Sequence, residues 1–186
     1  RRQRQMCIRD SLLFASIIKN WNEKDILKNK SVASTVMANF ALEKYLSSIG
    51  VDLMRTDVGD RHLVRGMREN NLNIGGEPSG HIVMSNFGTT GDGLIASLQI
   101  LSIMCSEDKP ISEIVNLFKL CPQENITIPI NESNPLDNEE VKKVIKEQKD
   151  ILSKNGRVIV RESGTEPIIR VMVESNDEAL NTNPLD

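Results

Sequence analysis

Residues 31–56, SVASTVMANFALEKYLSSIGVDLMRT, change hydrophobic period twice in a short stretch. Ser31 to Met37 is rich in small and β-branched residues and reads as a buried strand. Ala41, Leu42, Tyr45, Leu46 and Ile49 then recur at helical spacing, and Gly50 supplies the stop signal. Val51 to Thr56 reads as a second strand. A strand, a helix and a strand in succession specify an α/β unit with crossover helices.

The pattern continues outward from this unit. Upstream, Ser11 to Asn20 reads as an amphipathic helix. Its apolar run Leu12 to Ile18 follows Arg1-Arg2-Gln3-Arg4 and so imitates a secretory leader. Arg9 and Asp10 beside the run, and the absence of a small-residue cleavage site, argue against that. Residues 1–10 are expected to be a non-native or irregular segment. Downstream, Asp60 to Asn70 reads as a helix with Leu63, Val64 and Met67 on one face. A polar, Gly-rich loop is predicted from Asn71 to Gly80, and a short strand over Ile82-Val83-Met84. Leu94 to Met104 is apolar nearly all round, which predicts a buried helix, and a short helix is predicted from Ser112 to Leu120. Residues 121–123 read as a linker. Beyond it come a strand (Ile126 to Ile130), a helix from about Asn138 and two strands (Arg157 to Arg161 and Pro167 to Glu174). Val141, Val144, Ile145, Gln148, Ile151 and Leu152 form the predicted buried stripe of that helix, which Asn155-Gly156 ends. The expected fold is therefore α/β: a three-layer domain with a mixed sheet over residues 11–120, followed by a small α+β (β-α-β-β) domain over residues 124–186.

Composition removes several functional classes. Lys and Arg total 23 against 26 Asp and Glu, a net charge of −3, so neither nucleic acid nor an acidic membrane is an expected partner. One Trp and one Tyr give little material for base stacking. The three cysteines, Cys7, Cys105 and Cys121, form no CxxC pair, which argues against a disulfide framework or a zinc site and for a reducing cytoplasm. No apolar stretch approaches membrane-spanning length, and no Asp, His or Cys set has metal-ligand spacing along the chain.

Two loops carry chemistry. Gly75-Gly76-Glu77-Pro78-Ser79-Gly80-His81 places a carboxylate, a hydroxyl and an imidazole among three glycines. Glu77 accepts, Ser79 donates or accepts, and His81 does either, the mixture that neighbouring sugar hydroxyls require. A tight turn in which Glu77 and Ser79 only satisfy the backbone accounts for the same residues. The second loop, Arg161-Glu162-Ser163-Gly164-Thr165-Glu166-Pro167 with Arg170 beyond it, lies between two strands. Two hydroxyls, a flexible Gly and flanking arginines make an oxyanion cradle; an ordinary hairpin with an Arg–Glu pair is the alternative. Glu166 has the wrong charge for an anion and is assigned to orienting an arginine or capping the turn. Asp92 and Asp60 read as helix caps; at the polar turn Thr56 to His62 the alternative is that Arg61 or His62 faces a substrate.

Together these loops resemble the α-D-phosphohexomutase family. Gly76-Glu77-Pro78-Ser79-Gly80-His81 is similar to its sugar-recognition loop, GE-x-SGH, and Arg161 to Pro167 is similar to its phosphate loop, R-x-SGTEP. Ser34 to Asn39, Val58-Gly59-Asp60-Arg61, Thr89-Thr90-Gly91-Asp92-Gly93 and Arg170 to Glu174 fit the same order. The Ser-Gly-Thr-Glu-Pro and Thr-Thr-Gly-Asp-Gly strings are closest to the branch that acts on a phosphorylated amino sugar. The alternatives are the branches acting on mannose or glucose phosphates and a non-catalytic phosphosugar-binding module. The resemblance implies that residues 11–120 form the third of four domains, that residues 124–186 form the fourth, cut short at its C-terminus, and that the remaining domains of the same enzyme are partners. It implies Glu77, Ser79 and His81 as sugar ligands and Arg161, Ser163, Gly164, Thr165 and Arg170 as phosphate ligands. The family's phosphoserine and its DGDxDR loop for Mg²⁺ have no counterpart among these residues, so no catalytic or metal residue is expected in this chain. A sugar bisphosphate is the implied intermediate and activator, and the chain alone is expected to be inactive.

Overall fold

The computed structural model describes residues 2–130, 134–152, 155–163 and 166–175, with side chains described from residue 10 onward. The chain divides into two compact units, Arg1–Leu120 and Cys121–Asp186.

The first unit is a four-stranded sheet of order β2-β1-β3-β4. Its strands are β1 (Ser31–Thr35), β2 (Asp52–Thr56), β3 (Ile74–Gly76) and β4 (Ile82–Met84). β1 pairs in parallel with β2 and β3, and β3 pairs antiparallel with β4, so the sheet is mixed, as predicted. Its helices are α1 (Arg2–Glu23), α2 (Phe40–Ser48), α3 (Asp60–Glu69), α4 (Gly93–Glu107) and α5 (Ile111–Ile114).

Alternation along each strand builds the layers, because successive side chains point to opposite faces. Val32, Ile82 and Met84 join α1, α2 and α4 in the larger core. Ala33 and Val83, one residue out of phase, join Leu63 and Met67 of α3 on the other face. Phe14, Ile17, Ile18 and Trp21 give α1 its buried stripe. Asn39 caps α2 by accepting from the Ala41 amide at 3.0 Å. At its other end Gly50 N–H donates to Ser47 and Val51 N–H to Leu46, the paired bonds of a Schellman stop.

Four sequence-based expectations for this unit are corrected. Residues 2–10 are not irregular but continue α1; Arg, Gln and Met are good helix formers and no Gly or Pro interrupts them. The predicted loop Asn71 to Gly80 contains β3, whose two glycines concealed it because Gly is depleted in strands. They are needed for close approach: a Cβ at Gly75 would sit 2.7 Å from Met67 Sδ, and one at Gly76 would sit 2.9 Å from the Phe14 ring. Helix α4 is not buried all round; Ile100 and Ile103 are buried, while Leu94, Leu98 and Leu101 are more than half exposed. A helix packed on one side against its neighbours, here α1 and α5, can bury only one stripe, whatever its composition. The helix predicted from Ser112 is the single turn α5.

The second unit has the predicted β-α-β-β order: β5 (Gln123–Pro129), α6 (Glu139–Leu152), β6 (Gly156–Glu162) and β7 (Ile168–Ser175), in an antiparallel sheet of order β5-β7-β6. Gln123, expected in the linker, already stands in β5. Asn138 accepts from the Glu140 amide at 2.8 Å and starts α6. Its buried stripe is narrower than predicted. Leu152 is buried and Val141 and Ile145 are half-buried, but Val144, Gln148 and Ile151 are exposed, since a three-stranded sheet covers only a thin strip of a helix.

Candidate functional site

The hairpin joining β3 to β4 carries Glu77 to His81. Gly80 N–H donates to the Glu77 carbonyl at 3.1 Å, and Glu77 N–H donates to the His81 carbonyl at 2.8 Å. Pro78 occupies the second turn position, where its fixed φ suits the bend. Gly80 closes the turn at φ 94°, which a side chain would strain. Asn73, fully buried at the base of the hairpin, accepts from Lys28 N–H at 3.0 Å and donates to the Ile26 carbonyl at 2.9 Å. The turn is therefore held at both ends.

Glu77, Ser79 and His81 converge as the sequence suggested. Ser79 Oγ–H donates to Glu77 Oε2 at 3.1 Å, and Ser79 Oγ lies 3.1 Å from His81 Nδ1. A hydroxyl has one proton to give, so with Ser79 donating to Glu77, His81 joins the chain through Nδ1–H and leaves Nε2 as an acceptor. The Glu77 side chain is 10% exposed and that of His81 55%. The glutamate is thus held on the inner side of the turn and the imidazole on its outer side.

Sequence reasoning missed two partners. Gly59 N–H donates to Glu77 Oε1 at 2.9 Å. Gly59 caps α3 at φ 120°, a conformation open to glycine, and through this bond it locks the turn before α3 to the β3–β4 hairpin. Asp60 was read as the cap of α3, but Gly59 is the cap residue and no side chain caps this end. Asp60 stands instead with Glu77 and His81, one ligand atom from each lying within 4.8 Å of the others. Linear spacing gave no such cluster, because residues 60, 77 and 81 meet only when β3 inserts between β1 and β4. A Val-Gly-Asp turn preceding an amphipathic helix was the one available signal.

Arg61 lines a cavity of about 580 Å³ with Asp60, Arg65, Arg68, Thr89 and Thr90. Gly91, on its rim, has open contact with His81, whose Cβ would lie 3.5 Å from an added side chain. Asp92 caps α4 as predicted, accepting from Leu94 and Ile95 N–H at 2.8 and 3.1 Å.

In the second unit the candidate anion loop joins β6 to β7. Gly164 and Thr165 lie outside the described residues. Ser163 N–H donates to the Ile168 carbonyl at 2.9 Å and is spent on the hairpin; its hydroxyl remains the candidate ligand. Arg161 and Arg170 stand directly opposite each other across the two strands. Like charges in that relation repel, and an anion between them would remove the cost. Arg170 Nη2 donates to Glu166 Oε2 at 3.1 Å, the orienting role expected of Glu166. Arg161 is half-buried and has no ion-pair partner among the described residues.

No described helix is long and apolar enough to cross a membrane. Residues 10–121 match the family described as phosphoglucomutase/phosphomannomutase, alpha/beta/alpha domain III, and residues 125–183 match its C-terminal domain. The chain is 48% identical over 167 residues to a phosphoglucosamine mutase of Parvibaculum lavamentivorans, covering 90% of this chain and 37% of that protein. It is 47% identical over 165 residues to one of Rhizobium rhizogenes, covering 89% of this chain and again 37% of that protein. The chain thus spans little more than a third of the length of the curated relatives it matches. Among solved structures, N-acetylphosphoglucosamine mutase of Aspergillus fumigatus has the same fold, with TM-score 0.71 and 19% identity over 91% of this chain and 40% of that one. A second structure of that fungal protein, in complex with GlcNAc-6P and magnesium, has TM-score 0.69 and 18% identity over 92% of this chain and 43% of that one.

Proposed function

Because the chain belongs to the phosphoglucomutase/phosphomannomutase family, we propose that it supplies sugar and phosphate recognition to a phosphoglucosamine mutase, which interconverts glucosamine 6-phosphate and glucosamine 1-phosphate. The observation that carries this is the Glu77–Ser79–His81 chain, with a half-buried carboxylate fixed by Gly59 and a hydroxyl and imidazole aligned beside it. Such a row of acceptors and donors suits adjacent sugar hydroxyls. The curated relatives named phosphoglucosamine mutase support the choice of sugar.

In the proposed reaction a phosphoserine in another domain transfers its phosphoryl group to the free sugar hydroxyl. The serine O–P bond breaks as the sugar O–P bond forms, giving a bisphosphate, and the second phosphate then returns to the serine. Glu77 orients the sugar by accepting hydroxyl protons, with Ser79 and His81 beside it. Arg161, Arg170 and Ser163, with Gly164 and Thr165, hold the phosphate that is not reacting. These residues contribute by positioning, which turns an encounter into an oriented complex. Mg²⁺ takes an all-oxygen shell. The Asp60–Glu77–His81 group includes an imidazole and does not fit it, so the Mg²⁺ ligands of the proposed enzyme belong to its other domains.

A coupled assay with glucosamine 6-phosphate and a sugar bisphosphate activator tests the assignment. The full-length protein containing this chain is expected to turn over, and the 186 residues alone are expected to match a blank. Conversion of mannose or glucose phosphates in preference to the amino sugar would reassign the substrate.

The anion cradle is tested by calorimetry of sugar-phosphate binding to the full-length protein. Arg161→Ala is expected to weaken binding roughly tenfold to a hundredfold, the value of a hydrogen bond to a charged group. Arg161→Lys should restore only part of it, because an ammonium cannot make the paired fork. Wild-type affinity should fall as salt rises. Unchanged binding in a folded Arg161→Ala protein would remove Arg161 from the site.

A further inference from the structure

We propose that Ser34, buried in β1 and distant in sequence from the candidate site, is a positioning residue for the sugar hairpin: its hydroxyl holds the peptide group that joins Gly76 to Glu77. This rests on the sugar-phosphate function above and adds a residue that acts on the sugar only through Glu77.

Ser34 is 1% exposed, and its hydroxyl donates to the Gly76 carbonyl at 2.6 Å. That carbonyl and the Glu77 N–H belong to one planar peptide group. The N–H in turn donates to the His81 carbonyl at 2.8 Å. The plane is therefore gripped from both sides, by Ser34 of the neighbouring strand and by His81 across the hairpin. With the plane fixed, the Glu77 Cα and the direction in which its side chain leaves the turn are constrained too.

Strand β3 has few other holds. It is three residues long and pairs with β1 only through Ala33–Gly75 and Ser34–Gly76. Glycine has the widest backbone freedom of any residue, and a rotation at Gly76 swings Glu77. The same end of β1 also holds the other half of the site. Val36 N–H donates to the Thr56 carbonyl at 2.8 Å, at the end of β2 and just before the turn that carries Gly59. Glu77 Oε1 and the Gly59 amide nitrogen, 2.9 Å apart, thus hang from Ser34 and Val36 of one segment. Packing alone does not call for a hydroxyl at position 34. An alanine would bury no polar group there, whereas the serine supplies the Gly76 carbonyl with a donor.

The test uses the full-length protein as wild type, Ser34→Ala and Ser34→Thr, with steady-state kinetics, melting and hydrogen exchange read by mass spectrometry. Ser34→Ala is expected to raise KM for glucosamine phosphate about threefold to tenfold, the value of one neutral hydrogen bond. It should leave kcat near wild type, because the hold on the sugar is made in the ground state and the transition state alike. A merely structural role would instead reduce the folded fraction, lowering kcat at constant KM. Ser34→Thr keeps the hydroxyl and adds a methyl. It should recover KM, where a packing role would make it worse than alanine. In Ser34→Ala, amides of residues 74–82 and 56–60 should exchange faster while those of α1 and α2 keep wild-type protection. A wild-type KM in folded Ser34→Ala, no recovery of KM in folded Ser34→Thr, or a loss of protection spread evenly over the first unit would overturn the proposal. A wild-type protein that does not turn over glucosamine phosphate overturns the mutase function, and the exchange pattern then decides by itself whether Ser34 holds the hairpin.

Discussion

Replacing Glu77 by Gln is expected to lower kcat/KM of the full-length protein for its sugar phosphate roughly tenfold to a hundredfold, with little change in melting temperature. Gln is nearly isosteric, and its amide oxygen can still accept from Gly59 N–H, the bond that ties the turn before α3 to the hairpin at 2.9 Å. The second carboxylate oxygen, however, becomes an amide nitrogen that donates. It would then face Ser79 Oγ, which now donates to Glu77, and sugar hydroxyls that need an acceptor. Losing a hydrogen bond to a charged group costs about 1.5–3 kcal/mol, hence the factor. Steady-state kinetics beside thermal melting separates the two effects. A kcat/KM equal to wild type, or a loss matched by unfolding, reduces Glu77 to a turn residue. Glu77→Ala should differ in kind: it strands the Gly59 amide and should lower stability by about 1–3 kcal/mol as well.

The second large effect is structural. Gly156→Ala is expected to destabilise the second unit by about 3 kcal/mol or more, since a forced methylene in a packed site costs 1–3 kcal/mol and occasionally more. The added Cβ would lie 2.0 Å from the Glu174 carbonyl oxygen, 2.8 Å from Ser175 Cα and 3.0 Å from the Glu174 carbonyl carbon. All three are backbone atoms of β7, which pairs with β6 through Gly156 and Ser175, so no side-chain rotation relieves the clash. Either the end of the ladder opens or the strands part. Next to it Glu174, with 0% side-chain exposure, is paired with Arg157 at 2.6 Å, and opening the ladder would wet that pair. A unit this small has little stability in reserve, and 3 kcal/mol corresponds to roughly 12–24 °C in melting temperature. Amide spectra of the whole chain should lose dispersion for the second unit and keep it for the first. A variant with native dispersion and melting would show that the β6–β7 approach is wider than described.

Much of the site was legible because its chemistry lies in contiguous strings. Glu77, Ser79 and His81 alternate along a turn, so a hairpin alone brings them together. Arg161 and Arg170 were legible as residue types, but their standing directly opposite one another depends on the register of β6 on β7. Asp60 reads as a cap, and Gly59 goes unremarked, for a related reason. An Asp at a helix start satisfies every local rule for a cap, and only the position of the hairpin shows that Gly59 donates to Glu77 while Asp60 turns to the same cluster.

By itself the sequence determined what short-range physics controls. The alternation in β1, the stripe of α1, the Asn39 and Asp92 caps and the stop at Gly50 each depend on residues within a turn or two, and their order limits the chain to an α/β unit followed by β-α-β-β. Tertiary structure decided which apolar surface is covered and which distant groups meet. Leu94, Leu98 and Leu101 are as apolar as Ile100 and Ile103, yet only the last two are buried. Gly75 and Gly76 read as loop residues until Met67 and Phe14 press on the strand they form. The Asp60–Glu77–His81 cluster exists because β3 lies between β1 and β4, an order set by packing α3 on one face and α1 on the other rather than by any spacing along the chain.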